Sequence, residues 1–123
     1  MPKRILVVDD NPSNLRLFAL LLRGEYAVET ARNAQEALEA VARCRPDLVL
    51  MDIQLPGIDG LTLTRLLRND HTNGMMLIIA LTAYAMVEDR ERALAAGCDG
   101  FISKPIDTRT FSATIEEHLA RAS

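Results

Sequence analysis

At 123 residues, with 49% hydrophobic and 25% charged side chains, the chain has the size and composition of one globular domain with a sizeable core. The balance of 14 basic against 17 acidic residues leaves a net charge of -3, which excludes a general affinity for nucleic acid. Aromatic residues make up only 4%, so no stacking surface for bases is expected either. Cys44 and Cys98 form no CxxC pair and read as reduced thiols in or near the core of a cytosolic protein. The N-terminus lacks a signal-peptide pattern and no apolar run is long enough for a bilayer. A soluble cytoplasmic domain without membrane insertion is expected.

Apolar runs alternate with helical periods along the chain. Ile5, Leu6, Val7 and Val8 form the first run, rich in β-branched residues and suited to a strand buried on both faces. Asn11 and Pro12 then start a helix in which Leu15, Phe18, Ala19 and Leu22 recur at helical spacing, with Gly24 as its stop. "YAVETA" is a short second strand, and Ala34, Ala37, Leu38 and Val41 mark a second helix ending before Pro46. "DLVLMD" is a third buried strand, followed by the turn-rich "LPGIDG" and a third helix on Leu63, Leu66 and Leu67. "MMLIIALT" gives a fourth strand, "VEDRERALAAG" a fourth helix closed by Gly97, and "GFISK" a fifth strand. A final helix over 110–120 puts Phe111, Ile115 and Leu119 on one face. Five βα units of this length predict an α/β fold: an open parallel sheet with helices on both faces.

Sheets of this kind bind ligands at the carboxyl ends of their strands. The first strand ends on Asp9 and Asp10, the third on Asp52, the fourth on Thr82 and the fifth on Lys104. Like charges side by side at the end of a buried strand resist burial unless something compensates them. Three carboxylates favour a hard divalent cation, and a small octahedral site that keeps several waters suits Mg²⁺. Three aspartates bring −3 and Mg²⁺ with Lys104 brings +3, so such a site is neutral. A carboxylate nucleophile, a bridging cation, an ammonium and a hydroxyl are the parts of a phosphoryl-transfer site.

The segments "LVVDDN", "LVLMDIQLPGIDG", "ALTAYA" and "GFISKP", in that order and spacing, resemble the receiver domains of two-component response regulators. The resemblance spans essentially the whole chain, 1–123. Through "MDIQLP", "DRERALAAG" and "SKPI" it is nearest to single-domain receivers of the DivK type and to receiver modules of hybrid kinases. It implies a flavodoxin-like fold with strand order 2-1-3-4-5. It further implies that Asp52 accepts a phosphoryl group from a histidine of a kinase or phosphotransfer protein. Asp10, Asp52 and the backbone carbonyl of Gln54 would hold Mg²⁺, with Asp9 acting directly or through water. Lys104 would pair with the phosphoryl group and Thr82 would bond to it after transfer, while Phe101 stands at the switch aromatic, without a hydroxyl. A cis bond is implied between Lys104 and Pro105. Gln54 and Tyr84 would flank the path of the water that removes the phosphoryl group, the Tyr84 ring shielding it. The protein would be no enzyme beyond its own Mg²⁺-dependent phosphorylation and dephosphorylation. With the chain stopping after its fifth helix, output is expected through a protein partner on the face of the fourth helix, fifth strand and final helix.

Plainer roles stand beside these. Asp9, Asp10 or Thr82 alone would serve as a helix cap, and Lys104 alone as a solvated charge. Asp59 reads as a turn or cap residue, His71 and His118 as solvent-facing, and "EDRER" as a solvated helix face with Arg90 and Arg92 as candidate partner contacts. Met75 and Met76 read as packing at a strand start. Three rival functions are weighed: a Mg²⁺-dependent phosphatase or phosphotransferase, for which no substrate-covering insertion is evident; a flavin-binding domain, against which the acidic "DDNPSN" loop argues; and a phosphorylation-independent adaptor, against which the complete acidic set argues.

Overall fold

Ile5, Leu6, Val7 and Val8 are buried to 1% exposure or less, as a strand covered on both faces requires. They belong to β1 (Arg4–Val8) of a computed structural model that describes residues 2–55, 57–70, 72, 74–83 and 86–122. The chain continues through α1 (Pro12–Leu22), β2 (Ala27–Ala31), α2 (Ala34–Cys44), β3 (Leu48–Asp52) and α3 (Gly60–Asn69). It ends with β4 (Leu77–Thr82), α4 (Val87–Ala96), β5 (Gly100–Ser103) and α5 (Phe111–Ala122). All strand pairs are parallel and the sheet order is β2-β1-β3-β4-β5, the expected one.

Strand alternation sorts the core into two layers. Ile5, Val7, Leu48, Leu50, Ile79 and Leu81 face α1 and α5, where the Phe18 and Phe111 rings stack with centroids 5.4 Å apart. Leu6, Val8, Val49, Met51, Ile78 and Ala80 face α2, α3 and α4. Because the chain turns from β1 to β2 on one side and to β3 on the other, a crevice opens at the carboxyl ends of β1 and β3.

Helix starts follow the side-chain chemistry. Asn11 caps α1 by accepting from the Ser13 and Asn14 N–H groups, and Asn33 caps α2 through Glu36 N–H. Asp59 caps α3 through Thr62 N–H at 2.8 Å, the role expected of it. Gly97, at φ 113°, closes α4 as predicted.

Several expectations need correction. Leu38 and Leu66 are 39% and 44% exposed; the buried positions of α2 and α3 include the smaller Ala40 and Thr64 instead. Met75 is 88% exposed because β4 begins only at Leu77, so Met76 alone packs. α1 ends at Leu22, with Arg23 rather than Gly24 at its cap. His118 is half-buried, not solvent-facing: a Cβ built on Gly100 would lie 2.6 Å from its ring, so α5 sits on β5 through this pair. Burial and then the nearby Arg121 charge hold the His118 imidazole below its ordinary pKa. Both thiols are free; Cys98 is buried, which pushes its pKa up, and Cys44 is half-buried. His71 lies outside the described residues.

At the sheet end opposite the crevice, Arg68 fastens three elements. It donates to the carbonyls of Gly97 at 2.9 Å and Met76 at 2.6 Å and pairs with Asp99. The Asp99 carboxylate also accepts Ile78 N–H at 2.9 Å. Nothing in the hydrophobic periodicity announces this arginine.

Candidate functional site

The crevice collects the polar ends of the strands. Asp9, Asp10 and Asp52 bring one carboxylate oxygen each to within 4.8 Å of one another. Asp9 is wholly buried and Asp52 is 3% exposed, while Asp10 opens to solvent. Lys104 reaches across from the end of β5: its Nζ lies 3.3 Å from Asp52 Oδ2 and 3.4 Å from Asp9 Oδ2. The Lys104–Pro105 peptide bond is cis, and Lys104 N–H donates to the Thr82 carbonyl at 2.7 Å, which ties β5 to the end of β4.

Local hydrogen bonds hold each carboxylate. Asp9 Oδ1 accepts Asn11 N–H at 2.9 Å, so Asp9 organises the turn into α1 while Asn11 caps that helix. Asp52 Oδ1 accepts Gln54 N–H at 3.0 Å in the same two-residue pattern. Gly60 makes the approach of α3 possible: a Cβ there would lie 2.3 Å from the Asp52 carbonyl oxygen and 2.7 Å from Ile53 Cα.

Burial raises the pKa of Asp52 above the ordinary carboxylate value; the Gln54 N–H opposes this, the Asp9 charge adds to it and Lys104 pulls it back. One ammonium facing three carboxylates leaves the cluster with an excess of negative charge. Oxygen ligands of this kind, partly open to solvent through Asp10, fit a hard divalent cation that keeps some of its water.

Thr82, buried at the end of β4, adjoins this cluster, and Asp52 pairs in register with its neighbour Leu81. Gln54 is exposed beside Asp52. Phe101 lies farther out, half-buried on β5, with the Arg90 guanidinium 5.4 Å above its ring centroid. Arg90 therefore meets an aromatic face, and Arg92 pairs with Asp89 at 2.5 Å. Tyr84 lies outside the described residues. Asn14 escaped notice in the sequence: from α1 its side-chain N–H donates to Asp9 Oδ2 at 3.2 Å. Its place one helical turn past the cap was the available signal.

A parallel 2-1-3-4-5 sheet with three aspartates and a lysine at its crevice is the architecture of a phosphoacceptor switch domain. The response regulator receiver domain family matches residues 5–116, and the chain belongs to that family. It is 43% identical to the polar-differentiation response regulator DivK of Brucella anthropi over 123 residues, 99% of this chain and 100% of that protein. A response regulator receiver domain protein from Methanospirillum hungatei has a similar structure, with a TM-score of 0.89 at 34% identity over 99% of this chain and 97% of that one. The chemotaxis protein CheY4 of Vibrio cholerae gives 0.90 at 26% identity, over 95% and 98% of the two chains. Among the described residues no helix is long and apolar enough to cross a membrane.

Proposed function

We propose that this receiver domain, spanning 1–123, takes a phosphoryl group on Asp52 from a phosphohistidine of a kinase or phosphotransfer protein. The observation that carries the reading is Lys104, held 3.3 Å from Asp52 and 3.4 Å from Asp9 where three carboxylates meet. A carboxylate oxygen of Asp52 attacks phosphorus, the P–N bond breaks, and the donor imidazole leaves with the electron pair. The product is an acyl phosphate. Lys104 follows the new negative charge, and Thr82 bonds to a phosphoryl oxygen once the group is in place. Asp10, Asp52 and the Gln54 carbonyl would hold Mg²⁺, with Asp9 directly or through water; when bound, the ion neutralises charge on the transferring oxygens. The residues fit such an ion because one ammonium does not balance three carboxylates.

The domain catalyses only its own phosphorylation and dephosphorylation, acts in the cytoplasm, and passes the signal to a protein through the face of α4, β5 and α5. The Arg90–Phe101 contact lies on that face. Gln54 tunes how water reaches the acyl phosphate. Incubation with Mg²⁺ and acetyl phosphate should add one hydroxylamine-labile phosphoryl group. EDTA or Asp52→Asn should abolish it. Labelling of Asp52→Asn at the wild-type rate overturns the reading.

A further inference from the structure

Lys104 divides one ammonium between two carboxylates. Its Nζ is 3.4 Å from Asp9 Oδ2 and 3.3 Å from Asp52 Oδ2. When a phosphoryl group sits on Asp52, the ammonium has a stronger attractor to follow and moves off Asp9. Asp9 is wholly buried, so when it gives up the ammonium its remaining donors must hold it, beside any ion the cluster binds. Its Oδ1 keeps the Asn11 N–H at 2.9 Å. Its Oδ2 would lose Lys104 and keep, among the described residues, the side-chain N–H of Asn14 at 3.2 Å.

We propose that Asn14 is a positioning residue for phosphoryl transfer, its amide holding Asp9 in place so that Lys104 is free to leave it. The inference rests on the receiver reading and deepens it. Two features suit Asn14 to this task. Asn14 stands in the first turn of α1, which the Asn11 cap and the buried Leu15 and Phe18 fix to the sheet, so its donor stays when Lys104 moves. The amide is also neutral: it satisfies a lone pair of Asp9 without adding positive charge beside a cation site, as a lysine or arginine there would. In the chemistry, Asn14 touches neither the attacking oxygen nor the phosphorus. It acts through Asp9 on the freedom of Lys104.

Asn14→Ala removes the donor and keeps a residue that favours helix. Wild type and variant are compared by the rate of phosphorylation at saturating Mg²⁺ and acetyl phosphate, by Mg²⁺ titration calorimetry, and by thermal unfolding. The maximal rate should fall about tenfold, equivalent to about 1.4 kcal/mol on the barrier. The Mg²⁺ dissociation constant should stay within about twofold, because Asn14 supplies no ligand oxygen and Asp9, the residue it holds, keeps the Asn11 N–H on Oδ1. The acetyl phosphate concentration for half-maximal rate should not change, and the unfolding midpoint should stay near that of wild type. An unchanged maximal rate overturns the proposal. So does a rate that falls together with Mg²⁺ affinity and unfolding midpoint, since that pattern assigns Asn14 a structural role. Failure of the wild type itself to label would strike the receiver reading instead.

Discussion

Asp52→Asn should make the metal-free protein more stable at neutral pH. The asparagine keeps an oxygen for the Gln54 N–H, which Asp52 Oδ1 now accepts at 3.0 Å, and gives up the charge. At the 4.8 Å that bounds the carboxylate oxygens, the buried Asp9 repels the Asp52 charge by about 3.5 kcal/mol at an effective dielectric of about 20, while the exposed Asp10 is screened by solvent and adds much less. Lys104 at 3.3 Å returns about 5 kcal/mol on the same scale. The charge interactions offset one another in large part, and burial, the largest cause of the raised Asp52 pKa, leaves the ionised form net unfavourable. A gain of about 1–2 kcal/mol is therefore expected, or about 4–8 °C in the unfolding midpoint of a domain this size. The sign with pH follows from the raised Asp52 pKa. The folded protein holds this proton more tightly than the unfolded chain, so the wild type loses stability as pH rises from the unfolded value through the folded one. The advantage of Asp52→Asn should be full above that window and vanish below it. Mg²⁺ should narrow it at neutral pH by stabilising the wild type more. Urea and thermal unfolding in EDTA, at neutral and acidic pH, measure this. A variant less stable than wild type at neutral pH in EDTA would refute the charge argument.

Gly60→Ala forces a Cβ onto the Asp52 carbonyl and the Ile53 backbone, neither of which can give way. It should cost about 2 kcal/mol in urea unfolding and weaken Mg²⁺ binding by displacing the end of β3; wild-type values for both would contradict the close approach. Arg68→Met keeps an apolar stem but loses the bonds to Gly97, Met76 and Asp99. A loss of about 2–3 kcal/mol is expected, with faster amide exchange at the starts of β4 and β5 and unchanged Mg²⁺ affinity; uniform exchange would show that the clamp is not local.

The strand ends were legible in the sequence because a buried parallel strand announces itself as a continuous apolar run and its end as the first polar residue. Asp9, Asp52 and Thr82 followed from that, Lys104 stands one residue past the polar Ser103 that ends the half-buried β5, and the carboxylates with Lys104 do converge. Helix starts at Asn11 and Asp59 were equally local, since a cap is satisfied within three residues of itself. The inward faces of α2 and α3 were less secure: at Leu38 and Leu66 the apolar period placed leucines inward where the structure seats Ala40 and Thr64. Periodicity gives the direction of a face only to within a residue, and the distance between helix and sheet decides which side chain fits. Asn14 on Asp9, Arg68 on Gly97 and Asp99, and His118 on Gly100 lay beyond the sequence's reach for a related reason. Each contact joins separate elements and depends on how far apart packing sets them. The sequence by itself determined the elements and the charges at their ends; only the tertiary structure decided which neutral and cationic groups stand beside those charges, because that is set by the spacing of packed layers.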